Sequence, residues 1–416
     1  MKKPIVLLLL SFLLWGCADQ LDLDFEAPTN SKSQYRSTDE MVSEATKIWS
    51  TLNNKSREEK TPNVKSVKPV NIHKGRTESN LLFAIEFEDE DGFILVASPK
   101  NVTPIIGIIE KGHFSPEEIA AVPNFEYALE CAENYVQTEA IIAPDKVDDF
   151  LPITPTYKYD TLSYKAHGTP ISVTWNQAWP ENKYCPNKVA GCAPVAAAQV
   201  LSYLAVNKNF SLSFPNTPKT SIFLDWNQIN KHKKSLTATD PSSGSITTHL
   251  ISCGASEDAH DNIGLLIREL GHRMNAEYKT SSTGVPTDNL YTVFRNETGC
   301  TNPIRYDAEN LYDALYSSKG VALITGQDVN GAGGHAWVAD TYMYIANDIS
   351  YYELGKLVWQ KTEIDKKFVH HNWGWNGSYN GYFEAGVFNN EAPREPLITL
   401  SRYDFSKSVR YMIVTK

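Results

Sequence analysis

The sequence predicts an α+β protein built as two units. In its C-terminal part, helical apolar patterns come first and strand-like segments come last, the order typical of this class. The predicted helices begin at residues 192, 262 and 308, and the predicted strands cover residues 321–326, 335–345, 367–374 and 382–388. Almost all of the net charge of −10 lies in the N-terminal third, since residues 159–416 carry 24 acidic and 23 basic side chains. This asymmetry indicates two separately built units, and neither is basic enough to bind nucleic acid.

The first seventeen residues have the pattern of a bacterial export signal. Lys2 and Lys3 precede an apolar stretch, residues 5–14, that is too short to span a bilayer comfortably. The stretch ends in Leu-Trp-Gly-Cys, which resembles a lipobox, a signal in which the cysteine is lipidated and becomes the first residue of the mature protein. We therefore expect residues 1–16 to be a lipoprotein-type signal peptide and Cys17 to anchor an exported protein to a membrane. The alternative is a plain secretory signal that leaves Cys17 behind.

The N-terminal unit that follows combines a tether with a small α+β domain. Residues 18–34 are acidic and short of aliphatic side chains, as expected of a tether. Helical patterns cover residues 38–52 and 125–136, and residues 81–112 alternate as strand, turn, strand and strand. Residues 149–170 are rich in proline and turn residues, so we interpret them as an exposed linker to the second unit.

A single cysteine opens the most apolar predicted helix, in the stretch VAGCAPVAAAQVLSYL at residues 189–204. Gly191 permits a close approach of the backbone, and Pro194 suits the first helical turn. Cys192 therefore lies at a helix N-terminus, where N–H groups without helical partners and the helix dipole favour a thiolate. The alternative is a structural cysteine in a buried helix.

The number and spacing of the other cysteines restrict their roles. Beyond Cys17, cysteines occur at positions 131, 185, 192, 253 and 300, and this odd number leaves at least one thiol outside a disulfide. Cys185 is close enough in sequence to leave oxidative pairing with Cys192 open. The spacings C-x-x-C and H-x-x-x-H do not occur, so a structural zinc site is not expected.

His335 is the candidate base for the Cys192 thiol among ten histidines. It begins an apolar strand directly after Gly-Ala-Gly-Gly at residues 331–334, and this glycine-rich entry lets the backbone pass close to another element. A cysteine nucleophile needs a base within hydrogen-bond distance. The alternative is a structural strand histidine. His370 and His371 are neighbours on a predicted strand, so one should face the interior and the other the outside.

Further candidate groups lie on either side of this pair in the sequence. Asn372 can hydrogen-bond to an imidazole, and Trp373 and Trp375 can cover a cysteine–histidine pair from solvent, which strengthens its charge stabilisation. The alternative is a β-hairpin with two core indoles. Gln177, fifteen residues before Cys192, can donate to an oxyanion together with the backbone N–H of Cys192.

Taken in order, these motifs resemble the streptopain family of papain-like cysteine peptidases, peptidase family C10. The series begins at Thr174 and consists of WNQ, AGCAPVAAAQVLSYL, AGGHAWVADTY and HHNWGWNGSYNGYF. The resemblance implies a papain-like catalytic domain at residues 159–416, with a helical half and an antiparallel sheet half. It also implies that residues 17–158 contain, after the tether, an inhibitory propeptide domain.

The resemblance also assigns roles to the candidate residues. It makes Cys192 the nucleophile, His335 the general base and acid, and Gln177 an oxyanion-hole donor. It gives Trp373 and Trp375 the role of shielding and supporting the histidine, and Asn372 the role of orienting it.

The expected function is that of a secreted cysteine endopeptidase made as a zymogen, with protein or peptide substrates and its own prodomain as intramolecular inhibitor. It needs no metal or organic cofactor and contacts the membrane through the N-terminal lipid before maturation. Cleavage in the linker, at Lys158 or Lys165, would release the enzyme from the lipid anchor. The alternatives are an inactive surface-binding lipoprotein on a peptidase scaffold and an acyl transferase that uses the same Cys-His dyad.

Overall fold

The fold is taken from a computed structural model, in which the residues from Tyr35 onward form one compact unit. The residues it describes are 34–53, 62–71, 80–88, 91–142, 156–168, 171–207, 224–233, 253–300, 302–318, 320–327, 334–353, 356–388 and 409–415. The predicted signal peptide, Cys17 and almost all of the predicted tether lie outside them. Within these ranges no helix combines the length and the apolar character that crossing a membrane requires.

The described residues contain eight α-helices, thirteen strands and one 3₁₀ helix, Ala385–Phe388. The helices are α1 (Thr38–Asn53), α2 (Pro116–Ala120), α3 (Pro123–Ile142), α4 (Cys192–Asn207), α5 (Trp226–Ile229), α6 (Glu257–Arg273), α7 (Thr287–Thr298) and α8 (Ala308–Ser318). The first strands are β1 (Val64–Pro69), β2 (Leu82–Phe87), β3 (Phe93–Ala97), β4 (Ile105–Ile109), β5 (Thr156–Gly168), β6 (Glu277–Tyr278) and β7 (Thr283–Gly284). The later strands are β8 (Ile304–Arg305), β9 (Val321–Gln327), β10 (Gly334–Glu353), β11 (Lys356–Asn372), β12 (Gly381–Glu384) and β13 (Arg410–Val414).

One antiparallel sheet joins the predicted prodomain to the predicted catalytic domain. Its strand order is β1-β2-β3-β4-β12-β11-β10-β9-β13-β8, and β5 pairs with β10. The two parts meet where β4 pairs with β12, in the register Ile109 with Gly381 and Gly107 with Phe383. Glycine is required at position 381, because a Cβ there would lie 2.3 Å from the carbonyl oxygen of Ile108.

Helices cover both faces of the sheet, and the alternation of side chains along β9 shows which helices lie on each face. Val321 and Leu323 of β9 pack with α4, α6 and α7, whereas Ala322 and Ile324 face the cluster that contains α3 and α8. A third cluster packs α1 against β2, β3 and β4. The helix α4 lies within the second cluster, and its residues 193–205 are all buried, as the apolar pattern on nearly every side predicts.

Residues 156–168 differ from the sequence prediction of an exposed linker over residues 149–170. They form strand β5, in which Lys158 is paired with Ser350 and Lys165 with Tyr344 of β10. The aromatic and aliphatic residues Tyr157, Tyr159, Leu162 and Tyr164 favour a strand, and this local preference outweighs the flanking turn residues. The prediction that both lysines lie in an exposed loop was therefore wrong.

His370 and His371 lie on opposite faces of β11, yet both are buried because both faces of the sheet are covered. His371 accepts a hydrogen bond from Trp337 Nε1 at 2.9 Å. His370 Nδ1 lies 2.6 Å from Asp340 Oδ1, and its Nε2 lies 3.5 Å from Glu110 Oε2. Burial alone would lower the pKa of His370, but the charges and hydrogen bonds of Asp340 and Glu110 raise it to about 10. Since Glu110 follows β4, this charged group bridges the two parts of the sheet.

We predict that replacing His370 by Gln destabilises the protein most at or below pH 6.5. The folded-state pKa lies above the ordinary value of about 6.5, so protonated His370 stabilises the fold fully below that pH, and its contribution is lost as the pH rises towards 10. Removing one partner of a buried ion pair costs about 3–5 kcal/mol. Urea unfolding at pH 6, 8 and 9.5 measures the difference, which should shrink with pH.

The matched control is His113→Gln, because the His113 side chain is half exposed and 3.6 Å from Glu86. Its effect on the free energy of unfolding should be small. An equal loss for His370→Gln at all three pH values would contradict the assignment of a charged His370.

Candidate active site

Cys192 is held at the start of α4 by a sharply turned loop. Gly191, with φ 88°, adopts the left-handed conformation, and a Cβ at this position would lie 3.0 Å from the Thr283 side chain. The Thr283 hydroxyl donates to the carbonyl oxygen of Val189 at 2.7 Å, and Asn187 Nδ2 lies 3.1 Å from the same hydroxyl oxygen. The position of Cys192 is therefore fixed by the backbone conformation before it and the buried helix after it.

Three backbone groups close to the Cys192 sulfur lower the pKa of its thiol. Two belong to Cys192 and Ala193 at the helix N-terminus, and the third belongs to Ala336 of β10. The N–H donors expected at a helix N-terminus are thus present, and they favour the thiolate. Burial has the larger opposite effect and raises the pKa of Cys192, so the group is a neutral thiol at neutral pH in this structure.

His335 directly precedes Ala336, the β10 residue whose backbone lies close to the Cys192 sulfur. It is the second residue of β10 and is paired with Gly326 of β9. Its side chain is partly buried, and burial lowers its pKa to about 4. The imidazole is therefore neutral at pH 7. The structure places the predicted nucleophile next to the strand that carries the predicted base, and neither group carries a charge.

Gln177 also lies close to the start of α4. Its carbonyl oxygen accepts from the backbone N–H of Ala190, two residues before Cys192, at 3.4 Å. The preceding Trp175 is held on α4 because its N–H donates to Gln199 Oε1 at 2.9 Å. The segment with the sequence WNQ thus lies near the start of α4, and the role of Gln177 as an oxyanion donor stays a prediction.

The described contacts of Asn372 are with the backbone. Its Nδ2 donates to the carbonyl oxygen of Val173 at 3.1 Å, and its Oδ1 accepts from the N–H of Gly374 at 3.1 Å. The residue is buried at the end of β11. These bonds tie the end of β11 to the segment before Trp175, and the orientation of His335 by Asn372 stays a prediction.

Trp373 is a core residue, which is one of the two interpretations that the sequence leaves open. It is 1% exposed, its Nε1 donates to the carbonyl oxygen of Tyr379 at 2.7 Å, and its ring stacks on His371 at 5.1 Å. Trp375 is half-buried and packs against the same core. The shielding of His335 by the two indoles stays a prediction.

Asn124 is a contact residue at this site that the sequence does not reveal. It lies in the first turn of α3, in the predicted prodomain, and is fully buried. Its Nδ2 donates to the carbonyl oxygens of Ala336 at 3.3 Å and Trp373 at 3.1 Å. One prodomain side chain thus holds the residues that follow His335 and Asn372. An asparagine in a helix N-terminus is too common for its sequence context to indicate this role.

The cysteines at positions 131, 185, 192, 253 and 300 are all thiols and form no disulfide with one another. Cys185 is buried within the helical half, and burial raises its pKa to about 11. Oxidative pairing of Cys185 with Cys192, left open by the sequence, does not occur in this structure.

A cysteine at the start of a buried helix, facing a histidine-bearing strand of an antiparallel sheet, defines the scaffold of a papain-like cysteine peptidase. The model of the Peptidase C10 family matches residues 175–383, and the chain belongs to that family. No curated protein sequence is significantly similar to the chain.

The solved structures give an independent comparison of the fold. A cysteine-to-alanine variant of a prointerpain A fragment from Prevotella intermedia matches with a TM-score of 0.51 and 16% sequence identity. The match covers 84% of this chain and 98% of the fragment. The α+β fold with a papain-like catalytic part preceded by a small α+β domain is therefore confirmed.

We predict that Asn124→Ala makes the Cys192 thiol more reactive in the full-length protein. Two buried carbonyl oxygens lose a donor, which weakens the contact of α3 with β10 and β11 by about 1–3 kcal/mol. The rate of alkylation of Cys192 by iodoacetamide, followed by peptide mass spectrometry, should rise at least about fivefold. The control is Asn101→Ala, since Asn101 donates at 2.9 Å to the carbonyl oxygen of Ala140 within the same part. Equal rates in both variants would show that Asn124 does not close the site.

Proposed function

We propose that the protein is an exported cysteine endopeptidase made as a zymogen, with Cys192 as nucleophile and His335 as general base and acid. The observation that carries the proposal is the proximity of the Ala336 backbone to the Cys192 sulfur, because Ala336 directly follows His335 in β10. Membership of the Peptidase C10 family supports the reaction class.

In the proposed mechanism, His335 takes the thiol proton of Cys192, and the sulfur attacks the carbonyl carbon of a peptide bond. The backbone N–H of Cys192 and the side chain of Gln177 donate to the oxyanion that forms. The tetrahedral intermediate collapses as His335 protonates the leaving amine, and an acyl-enzyme remains on the sulfur. Water then hydrolyses this thioester, with His335 again acting as base.

The proposed zymogen is inactive because Cys192 and His335 are both uncharged. A neutral thiol and a neutral imidazole lack the thiolate–imidazolium pair that a cysteine peptidase uses, and burial is the main cause of both pKa shifts. Removal of the N-terminal part takes away Asn124 and the β4 partner of β12, so it opens the site to water. We expect the cut to fall outside β5, because Lys158 and Lys165 are paired within a strand.

We further propose that Cys17 carries a lipid and that the precursor is a membrane lipoprotein until maturation. A cut between the two parts would then separate the enzyme from its anchor together with its inhibitor. The proposal rests on the pattern of residues 1–17 alone.

Two other functions use the same scaffold. An inactive surface-binding lipoprotein has no need of a cysteine, a histidine-bearing strand and Gln177 in one place, so the geometry favours an enzyme. An acyl transferase would form the same acyl-enzyme and pass it to an amine in place of water. Product analysis with an added amine acceptor separates this reaction from hydrolysis.

We predict that Cys192→Ala and His335→Ala each abolish peptide hydrolysis by the processed protein, because the first removes the nucleophile and the second removes the proton carrier. Gln177→Ala should lower kcat/KM by roughly ten- to a thousandfold, the range for one oxyanion donor. Hydrolysis of a fluorogenic peptide measures the rates, and circular dichroism checks the fold. Matched controls are Cys300→Ala and His272→Ala, which change a half-buried thiol and an exposed histidine outside the site. Turnover by folded Cys192→Ala at the unsubstituted rate would refute the proposed peptidase mechanism.

We predict that Cys17→Ser abolishes lipid attachment, because serine lacks the thiol that accepts the lipid. Cells fed labelled palmitate should label the unsubstituted precursor and leave the variant unlabelled and soluble. Cys131→Ser serves as the control, since Cys131 is buried and should not affect labelling. An unlabelled precursor that begins at a residue other than Cys17 would exclude the anchor and leave the peptidase assignment unchanged.

A further inference from the structure

Three potential metal ligands that the catalytic site does not use lie together in the helical half. They are His232, after α5, Cys253, before α6, and His260, in the first turns of α6. Their ligand atoms all lie within 4.8 Å of one another. His232 and His260 are 0% and 1% exposed, and Cys253 is half-buried. The cluster is therefore an interior group of two imidazoles and one thiol.

The distance between the two imidazoles fits two ligands of one metal ion. His232 Nδ1 lies 3.2 Å from His260 Nε2. In a tetrahedral zinc site with Zn–N bonds of about 2.0–2.1 Å, two nitrogen ligands are about 3.4 Å apart. A zinc ion between the two nitrogens therefore needs a shift of only about 0.2 Å. The Cys253 sulfur lies within 4.8 Å of the ligand nitrogens of both imidazoles, so it is the third candidate ligand.

Glu181 occupies the position of an outer partner to this cluster. Its Oε1 lies 3.3 Å from His232 Nε2, so the bond to the carboxylate leaves Nδ1 of that ring directed at His260. Metal-binding histidines commonly donate their second N–H to a carboxylate in this way, and the bond fixes the tautomer and the orientation of the ring. Glu181, His232 and His260 thus form a series in which the carboxylate can orient the His232 ring.

The buried carboxyl group of Glu181 gives a second, independent observation. The side chain is 0% exposed, and its Oε2 has no hydrogen-bond partner in the part of the chain that the structure describes. Buried polar atoms without a partner are rare, and an ion or a water that completes the site is one explanation for them.

We propose that His232, Cys253 and His260 bind a zinc ion, with Glu181 as hydrogen-bond partner of His232 and the fourth position open to water. Two imidazoles and a thiolate suit Zn²⁺, whereas Mg²⁺ and Ca²⁺ prefer oxygen ligands. Since Glu181 follows Gln177 by four residues, the ion would fix the loop after Gln177 to α6. The sequence does not indicate a zinc site because the three ligands come from separate segments, and only the short spacings C-x-x-C and H-x-x-x-H are recognisable in sequence.

The test uses the full-length Cys192→Ala protein, so that the candidate nucleophile cannot bind the metal. Purified without chelators, it should contain about one zinc per chain by mass spectrometry of the elements. Zinc replaced by Co²⁺ should give visible ligand-field bands of tetrahedral intensity and a thiolate-to-cobalt charge-transfer band in the near ultraviolet. Cys253→Ser in this background should abolish the charge-transfer band and weaken Zn²⁺ binding by more than about 100-fold in chelator competition. Glu181→Gln should weaken it by about 10–100-fold, as expected for an outer partner.

The matched controls are Cys300→Ser and His272→Ala, because Cys300 is also half-buried and His272 is an exposed residue of α6 itself. Both should keep zinc content, affinity and the cobalt spectrum unchanged. Circular dichroism shows which variants are folded. If Cys253→Ser does not fold, metal binding by the parent protein and by Glu181→Gln tests the proposal. A folded parent protein that binds neither Zn²⁺ nor Co²⁺ would overturn the proposal. Binding that Cys253→Ser leaves unchanged in a folded protein would overturn it as well.

Discussion

The burial of α4 against the central sheet determines both the place of Cys192 and its ionisation. Residues 193–205 of this helix are buried, so its N-terminus cannot move independently of the strands β9 and β10. The helix start supplies N–H donors that favour a thiolate. Burial disfavours the charged form of both groups and has the larger effect: it raises the pKa of Cys192 and lowers the pKa of His335. The same packing that positions the two groups therefore keeps them neutral while the N-terminal part is in place.

The N-terminal part is more than a cover over the site. Its strands extend the sheet through the pairing of β4 with β12, and its aromatic residues share a core with those of the later strands. Phe125 stacks on Tyr379 at 4.4 Å and lies edge-on to Phe383 at 6.4 Å. Asn124, which hydrogen-bonds to the residues after His335 and Asn372, directly precedes Phe125, which makes these aromatic contacts. The same part of α3 therefore provides both the proposed inhibition and the structural support.

The features that local patterns determine could be predicted from the sequence. The start of α4 follows from a glycine, an early proline and an apolar run, and the strand after His335 follows from its alternation. The fold class and the family could also be predicted and are confirmed. The strand β5 was missed because its partner, the distal half of β10, is far away in sequence and edge pairing leaves little periodic signal.

Contacts between distant segments could not be predicted for the same physical reason. Asn124 meets Ala336 across 212 residues, and His232 meets Glu181 across 51 residues. A single sequence records the type of each residue but not which distant residues fold onto it. The burial of both His370 and His371 depends on the layers on either side of β11, which the alternation of one strand cannot reveal.

The pairing of β4 with β12 also constrains the order in which the chain can fold. Ile109 and Gly381 are backbone neighbours although 272 residues separate them in the sequence. Contacts of such high sequence separation form late, because the entropy of closing a long loop must be overcome first. Until then the backbone groups at the edge of β12 are unpaired and can bind other strands. In the folded protein, β4 of the same chain pairs with this edge. In the proposed maturation, a cut made before this closure would remove the strand that covers the edge of β12, so the folding of the sheet would depend on when the chain is cut.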